Sequence, residues 1–131
     1  MAQFPDQGIL WRGWNDETLR LIREKDVPVL LFVADPDPML SPFLKVVFET
    51  MPGNARLRDL LHERHPALFL EADALPEELK LLGAGSRFHI AVLSPSGLTP
   101  MVTIDPSGGT PATIVDEIVR VLERLDEVWR D

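Results

Sequence analysis

The chain predicts an α/β fold: a central mixed sheet of about four strands, a parallel βαβ unit joined to an antiparallel hairpin, flanked by helices. Three observations predict it. Val27 to Ala34 is an unbroken apolar run, the pattern of a strand buried on both faces. A second apolar run, Ala67 to Ala72, is separated from the first by helical sequence, which implies parallel pairing with a right-handed crossover. Two further runs, His89 to Leu93 and Pro100 to Ile104, flank the turn sequence Ser94-Pro95-Ser96-Gly97 and read as a hairpin. The 131 residues read as one domain, long enough to bury a core without disulfides or metal.

Met1 to Gly13 read as an irregular lead-in. Asn15 can cap a helix from Asp16 to Lys25, with Asp16 and Glu17 at the positive end of its dipole. Leu19 and Ile22, joined by Leu21, form its apolar face. Pro28 belongs at the start of the first core strand, where its missing N–H costs least. After the strand comes Asp35-Pro36-Asp37-Pro38, then Ser41 as N-cap and Pro42 at the first helical position. Phe43, Leu44, Val46, Val47 and Phe48 make that helix apolar round most of its circumference, until Met51-Pro52-Gly53 stops it. Asn54 caps a helix from Ala55 to about Arg64, which Pro66 ends. Leu75 to Leu82 is a short helix ended by Gly83. Thr110 and Pro111 open a last helix reaching about Trp129, with Ile114, Val115, Ile118, Val119, Leu122 and Leu125 on one face.

Composition narrows the function. The chain contains no cysteine, which removes disulfides, thiolate metal sites, thiol nucleophiles and dithiol redox chemistry. The net charge of -8 disfavours nucleic acid and anionic membrane, both of which reward Lys and Arg, and favours a basic partner. No apolar run approaches the ~18 residues of a membrane helix. The N-terminus lacks a basic start followed by an apolar stretch, so the expected location is cytoplasmic.

Several side chains are candidates for chemistry. Asp35 and Asp37 could form a carboxylate pair for a hard cation or a basic peptide; the plainer account is turn chemistry and a favourable helix dipole. His62 and His65 are three apart and could share a helix face, yet no further ligands cluster with them, so they read as surface residues near a helix C-terminus. His89 opens a core strand and could titrate near neutrality beside carboxylates, or sit satisfied by backbone. Trp11, Trp14 and Trp129 either bury their rings between the lead-in and the last helix or form an exposed aromatic patch for a partner. Glu123, Asp126, Glu127 and Asp131 lie at the negative end of the last helix dipole, a placement that solvation or a basic partner would relieve. Nothing in the residues calls for a cofactor.

The order of elements resembles the thioredoxin fold over nearly the whole chain. It is similar in particular to the N-terminal thioredoxin-like domain of the spermatogenesis-associated protein 20 family. The matching pieces are the Trp11 and Trp14 pair, the helix with Lys25, Pro28 leading into VLLFV, the segment LLHERHPALFLEAD ending at Asp73, and the Ser94-Pro95-Ser96-Gly97 turn. The resemblance implies a Cys-x-x-Cys between Ala34 and Ser41, where this chain carries DPDPML. It implies a buried Asp near Leu31 and a cis-proline at Phe88 or His89. With thiols, proton acceptor and clamping proline all absent, redox activity is not expected.

The function expected is that of a non-catalytic thioredoxin-like protein: a protein- or peptide-binding or chaperone module. Its degenerate active-site groove would be lined by Asp35, Asp37, Met39, Phe88 and His89. Cysteine-free thioredoxin-like proteins of this size include hydrogenase-maturation chaperones that bind a basic leader peptide, an analogy that suits the acidic charge. Two other readings stay open. One is an enzyme with non-thiol chemistry around His89 and Asp35 or Asp37; the other is a structural or homodimer module pairing through a Trp-bearing face or a hairpin edge.

Overall fold

A computed structural model describes residues 9, 11–34, 41–84, 88–105 and 109–130, with backbone alone at Ser41, Glu63, Trp129 and Arg130. The elements run in the order β1 (Trp11–Arg12), α1 (Asp16–Lys25), β2 (Val29–Ala34), α2 (Ser41–Thr50), α3 (Ala55–Glu63), β3 (Ala67–Glu71), α4 (Glu77–Leu82), β4 (Ile90–Leu93), β5 (Pro100–Ile104) and α5 (Pro111–Arg130). Short 3-10 turns at Met51–Gly53 and Ala72–Ala74 follow α2 and β3. The strands form one five-stranded mixed sheet in the order β1-β3-β2-β4-β5.

The parallel unit and the antiparallel hairpin stand as the sequence implies. Residues of β2 pair parallel with β3, from Leu30 opposite Ala67 to Ala34 opposite Glu71. β4 runs antiparallel to both β2 and β5, with Val29 opposite Leu93 and Ile90 opposite Ile104. This arrangement is compatible with a thioredoxin-like fold. The sheet has one strand more than expected. The lead-in supplies β1, where Trp11 and Arg12 pair parallel with Ala67 and Leu68. Two residues carry too little pattern to register as a strand, so this edge is visible only once β3 is in place.

Strand ends differ from the expectation for identifiable reasons. β2 begins at Val29, just after Pro28, which has no N–H to give the ladder and whose carbonyl accepts a hydrogen bond from the His65 Nδ1–H at 2.9 Å. α4 begins at Glu77, because Pro76 holds an extended backbone at the N-cap. Three of the predicted helix caps form: Asn15 Oδ1 accepts from the Thr18 N–H, Asn54 Oδ1 from Leu57, and Thr110 Oγ1 from Thr113. α2 is helical from Ser41 itself, and the Ser41 side chain expected to cap it lies outside what is described.

Alternation along the strands feeds two cores. Leu30, Phe32, Ile90 and Val92 face α2, α3 and α5. Leu31, Val33, Ala91 and Leu93 face α1 and α4. Phe32 sits at the middle of the first core, in ring contact with Trp11, Phe48 and Phe69 at centroid distances of 5.4 to 6.1 Å. α5 closes this face with Ile114, Val115, Ile118 and Leu122, all buried. Each such side chain withdrawn from water contributes about 1.5–3 kcal/mol before conformational entropy is counted. No helix among the described residues is long and apolar enough to cross a membrane.

Candidate functional site

The sheet has two ends, and they differ in what they offer. At the carboxyl end of β2, the Val33 N–H donates to the His89 carbonyl at 2.7 Å. That bond sets Phe88 and His89 beside the end of β2, just before the Asp35–Met39 stretch in the chain. Both residues are buried: Phe88 packs into the second core, and His89 is 8% exposed. Asp35, Asp37 and Met39 lie outside the described residues. Among the described residues no group of three or more His, Asp or Glu could hold a metal ion.

The opposite end carries a concavity built from described residues. A cavity of about 540 Å³ opens between α1, α4 and the β4–β5 turn. Its apolar wall is Trp14, Leu19, Ile22 and Leu98, with Pro95 and Gly97 from the turn. Its charged rim is Arg23 from α1, Asp26 just past the end of α1, and Glu78 from α4. The hairpin places it at this end, since Leu93 pairs with Val29 at the start of β2 and the chain then turns. The turn is held by the Ser94 N–H bonding the Thr99 carbonyl at 2.8 Å and the Leu98 N–H bonding the Ser94 carbonyl at 2.9 Å.

Backbone strain gathers at the same cavity. Among the described residues, the two that are not glycine yet have positive φ are Asp26 at 52° and Leu98 at 56°. Both line the cavity. Asp26 is the left-handed C-cap of α1, with its N–H bonded to the Ile22 carbonyl, a conformation Asp tolerates. Leu98 has no such excuse: a bulky side chain in this region costs roughly 1–2 kcal/mol. Strain of this kind persists where surrounding structure over-determines it, and it concentrates at ligand sites.

A third cluster ties the last helix to the sheet. His65, read from sequence as a surface residue, is buried at 1% exposure, and that expectation is corrected. Its place just ahead of Pro66 and β3 carries it inward, whereas His62 stays exposed on α3. The Nδ1–H donates to the Pro28 carbonyl. Nε2 lies 3.6 Å from Asp126 Oδ1 and makes no hydrogen bond. Asp126 also meets Arg64 at 3.3 Å, and Glu123 pairs with Arg56. These cations come from α3 and its end, so the chain itself offsets Glu123 and Asp126 near the close of α5. Burial holds the His65 imidazole below its ordinary range, outweighing the Pro28 hydrogen bond and the Asp126 charge, which favour protonation; Arg64 and Lys25 add to the lowering.

The tryptophans divide between the faces. Trp11 packs in the first core, stacked on Phe48 at 5.2 Å, and Trp14 packs against the second. Both are half-buried on opposite sides of the sheet, so the two rings do not share a patch. The Trp129 ring lies outside what is described.

Sequence reasoning missed the cavity because its wall is assembled from distant segments with no shared motif. A faint signal was present: Leu98 follows Gly97 in a four-residue turn, where a left-handed position calls for Gly or Asn. Comparison with known protein families finds no matching family, and comparison with curated proteins finds no matching relative.

Proposed function

We propose that this chain is a non-catalytic thioredoxin-like protein that binds an extended, basic peptide at the carboxyl end of β2. The single observation that carries the reading is the bond from the Val33 N–H to the His89 carbonyl. It joins two segments beside the chain position where thioredoxin-like enzymes keep their thiols, in a protein with no cysteine to perform exchange. What remains at such a position is recognition. Asp35 and Asp37 supply negative charge, and the net charge of -8 steers a basic segment toward the protein. Under this reading the protein works in the cytoplasm, as a relative of the spermatogenesis-associated protein 20 type of domain that lacks its redox cysteines.

Fluorescence anisotropy with a labelled, arginine-rich extended peptide tests it. Wild type binds with an affinity that falls as salt rises. The double variant Asp35→Lys, Asp37→Lys weakens binding by about ten-fold or more and flattens the salt dependence. Equal affinity in wild type and variant, or no binding by wild type, sinks the proposal.

A further inference from the structure

We propose that the cavity between α1 and the β4–β5 turn is a binding site for a small zwitterion with an apolar body, namely a free α-amino acid with a large aliphatic or aromatic side chain. The site is distinct from the peptide groove, at the other end of the sheet.

Size sets the first limit. Small-molecule sites run from about 300 to 1,000 Å³, and this one, at about 540 Å³, suits a compact ligand. The wall chooses the body. Trp14 offers an aromatic face, and Leu19 and Leu98 offer aliphatic surface, so burial rewards an apolar side chain.

The rim chooses the head. Arg23 is matched to a carboxylate, and Glu78 to an ammonium. A simple amine would meet Glu78 but also face Arg23. A simple carboxylate would meet Arg23 but also face Glu78. A zwitterion presents a partner to each sign of charge, with its two charged groups on one carbon and its apolar group projecting away from them.

The strained backbone gives independent support. Leu98 holds a φ of 56° that places this bulky residue in the cavity wall, and Asp26, at 52°, carries a carboxylate on the rim. Leu98 thus adopts an unfavourable backbone conformation at this concavity, as residues of pre-organised ligand sites do.

The test is an amide and indole NMR titration of the full chain with L-leucine, L-phenylalanine and L-tryptophan. The blocked analogues N-acetylphenylalanine and phenylalanine amide are run beside them, each lacking one charge. The free amino acids should produce saturable shifts at the Trp14 indole and the Ser96 to Leu98 amides. The Trp11 indole, on the other face of the sheet, should stay still and serve as an internal control. Each blocked analogue should bind at least about ten-fold more weakly, as loss of a charged hydrogen-bond partner predicts. Arg23→Glu should weaken the amino acids by a similar factor while leaving core resonances in place. Absence of saturable shifts up to about 10 mM, a concentration at which even millimolar affinity saturates a site, overturns the proposal. So does equal binding of the blocked forms. Shifts of the same size at both indoles would also overturn it, because they would report a global effect.

Discussion

The two faces of the sheet are covered unequally. One lies under α2, α3 and the 20-residue α5, the other under the 10-residue α1 and the 6-residue α4. The same strands serve both: β2 sends Leu30 and Phe32 one way and Leu31 and Val33 the other. Strand residues are therefore equally buried on either side, and the difference arises in the helical layer. Where α5 lies across the sheet, aromatic rings and aliphatic side chains close the space. Where two short helices share the work, a cavity remains between α1 and the hairpin turn. A thin helical layer is thus what leaves the cavity open.

The largest expected effect breaks this comparison directly. Leu44 is buried under α5, whereas Leu19 is half-buried at the cavity. Leu44→Ala should cost about 2–5 kcal/mol in urea unfolding, the range for truncation in a closed core. Leu19→Ala should cost under about 1.5 kcal/mol, because part of its surroundings is already open. Equal losses would mean that the cavity is filled or closed in solution.

The next effect concerns the fastening of α5. Since burial keeps His65 neutral in the folded state below its ordinary 6.5, the unfolded chain takes up the proton first as pH falls. The folded pKa is depressed, so His65 permits full stability above about 6.5, and stability declines as pH falls from there toward the folded value. His65→Leu should remove that part of the slope. At pH 8 it should also cost about 1–3 kcal/mol, because the buried Pro28 carbonyl loses its donor. Denaturant midpoints measured across pH 5 to 8 for both proteins check the two claims, and an unchanged slope in the variant would refute the assignment.

The smallest effect sharpens the cavity side. Leu98→Gly and Leu98→Ala remove nearly the same packing, but alanine keeps the left-handed cost that glycine escapes. The glycine variant should be the more stable by about 0.5–1 kcal/mol in paired unfolding curves. The reverse order would show that Leu98 does not hold a positive φ in solution.

Much of the architecture was legible in the residues. Continuous apolar runs marked β2 and β3, helical sequence between them implied parallel pairing, and Asn15, Asn54 and Thr110 announced three helix starts. Less of the candidate sites was legible. Trp11 and Trp14 look like a pair in sequence, yet the intervening bend sends their rings to opposite faces. His62 and His65 look like equivalent surface residues, yet the turn into β3 buries the second. Glu123 and Asp126 look like an exposed acidic tail, yet α3 meets them with Arg56 and Arg64. For His65 and for the two acids the deciding partner lies far along the chain, where local periodicity carries no information about it.

By itself the sequence determined the exclusion of thiol chemistry, the order and type of the principal elements, and the acidic balance, because these depend on residue identity and near-neighbour spacing. Tertiary structure alone decided that β1 joins the sheet and that His65 and Asp126 meet in the interior. It alone decided that α1, α4 and the hairpin turn enclose a cavity with charges of both signs at its rim. Those outcomes depend on how helices of unequal length divide the surface of a common sheet, which is a property of packing between segments distant in sequence.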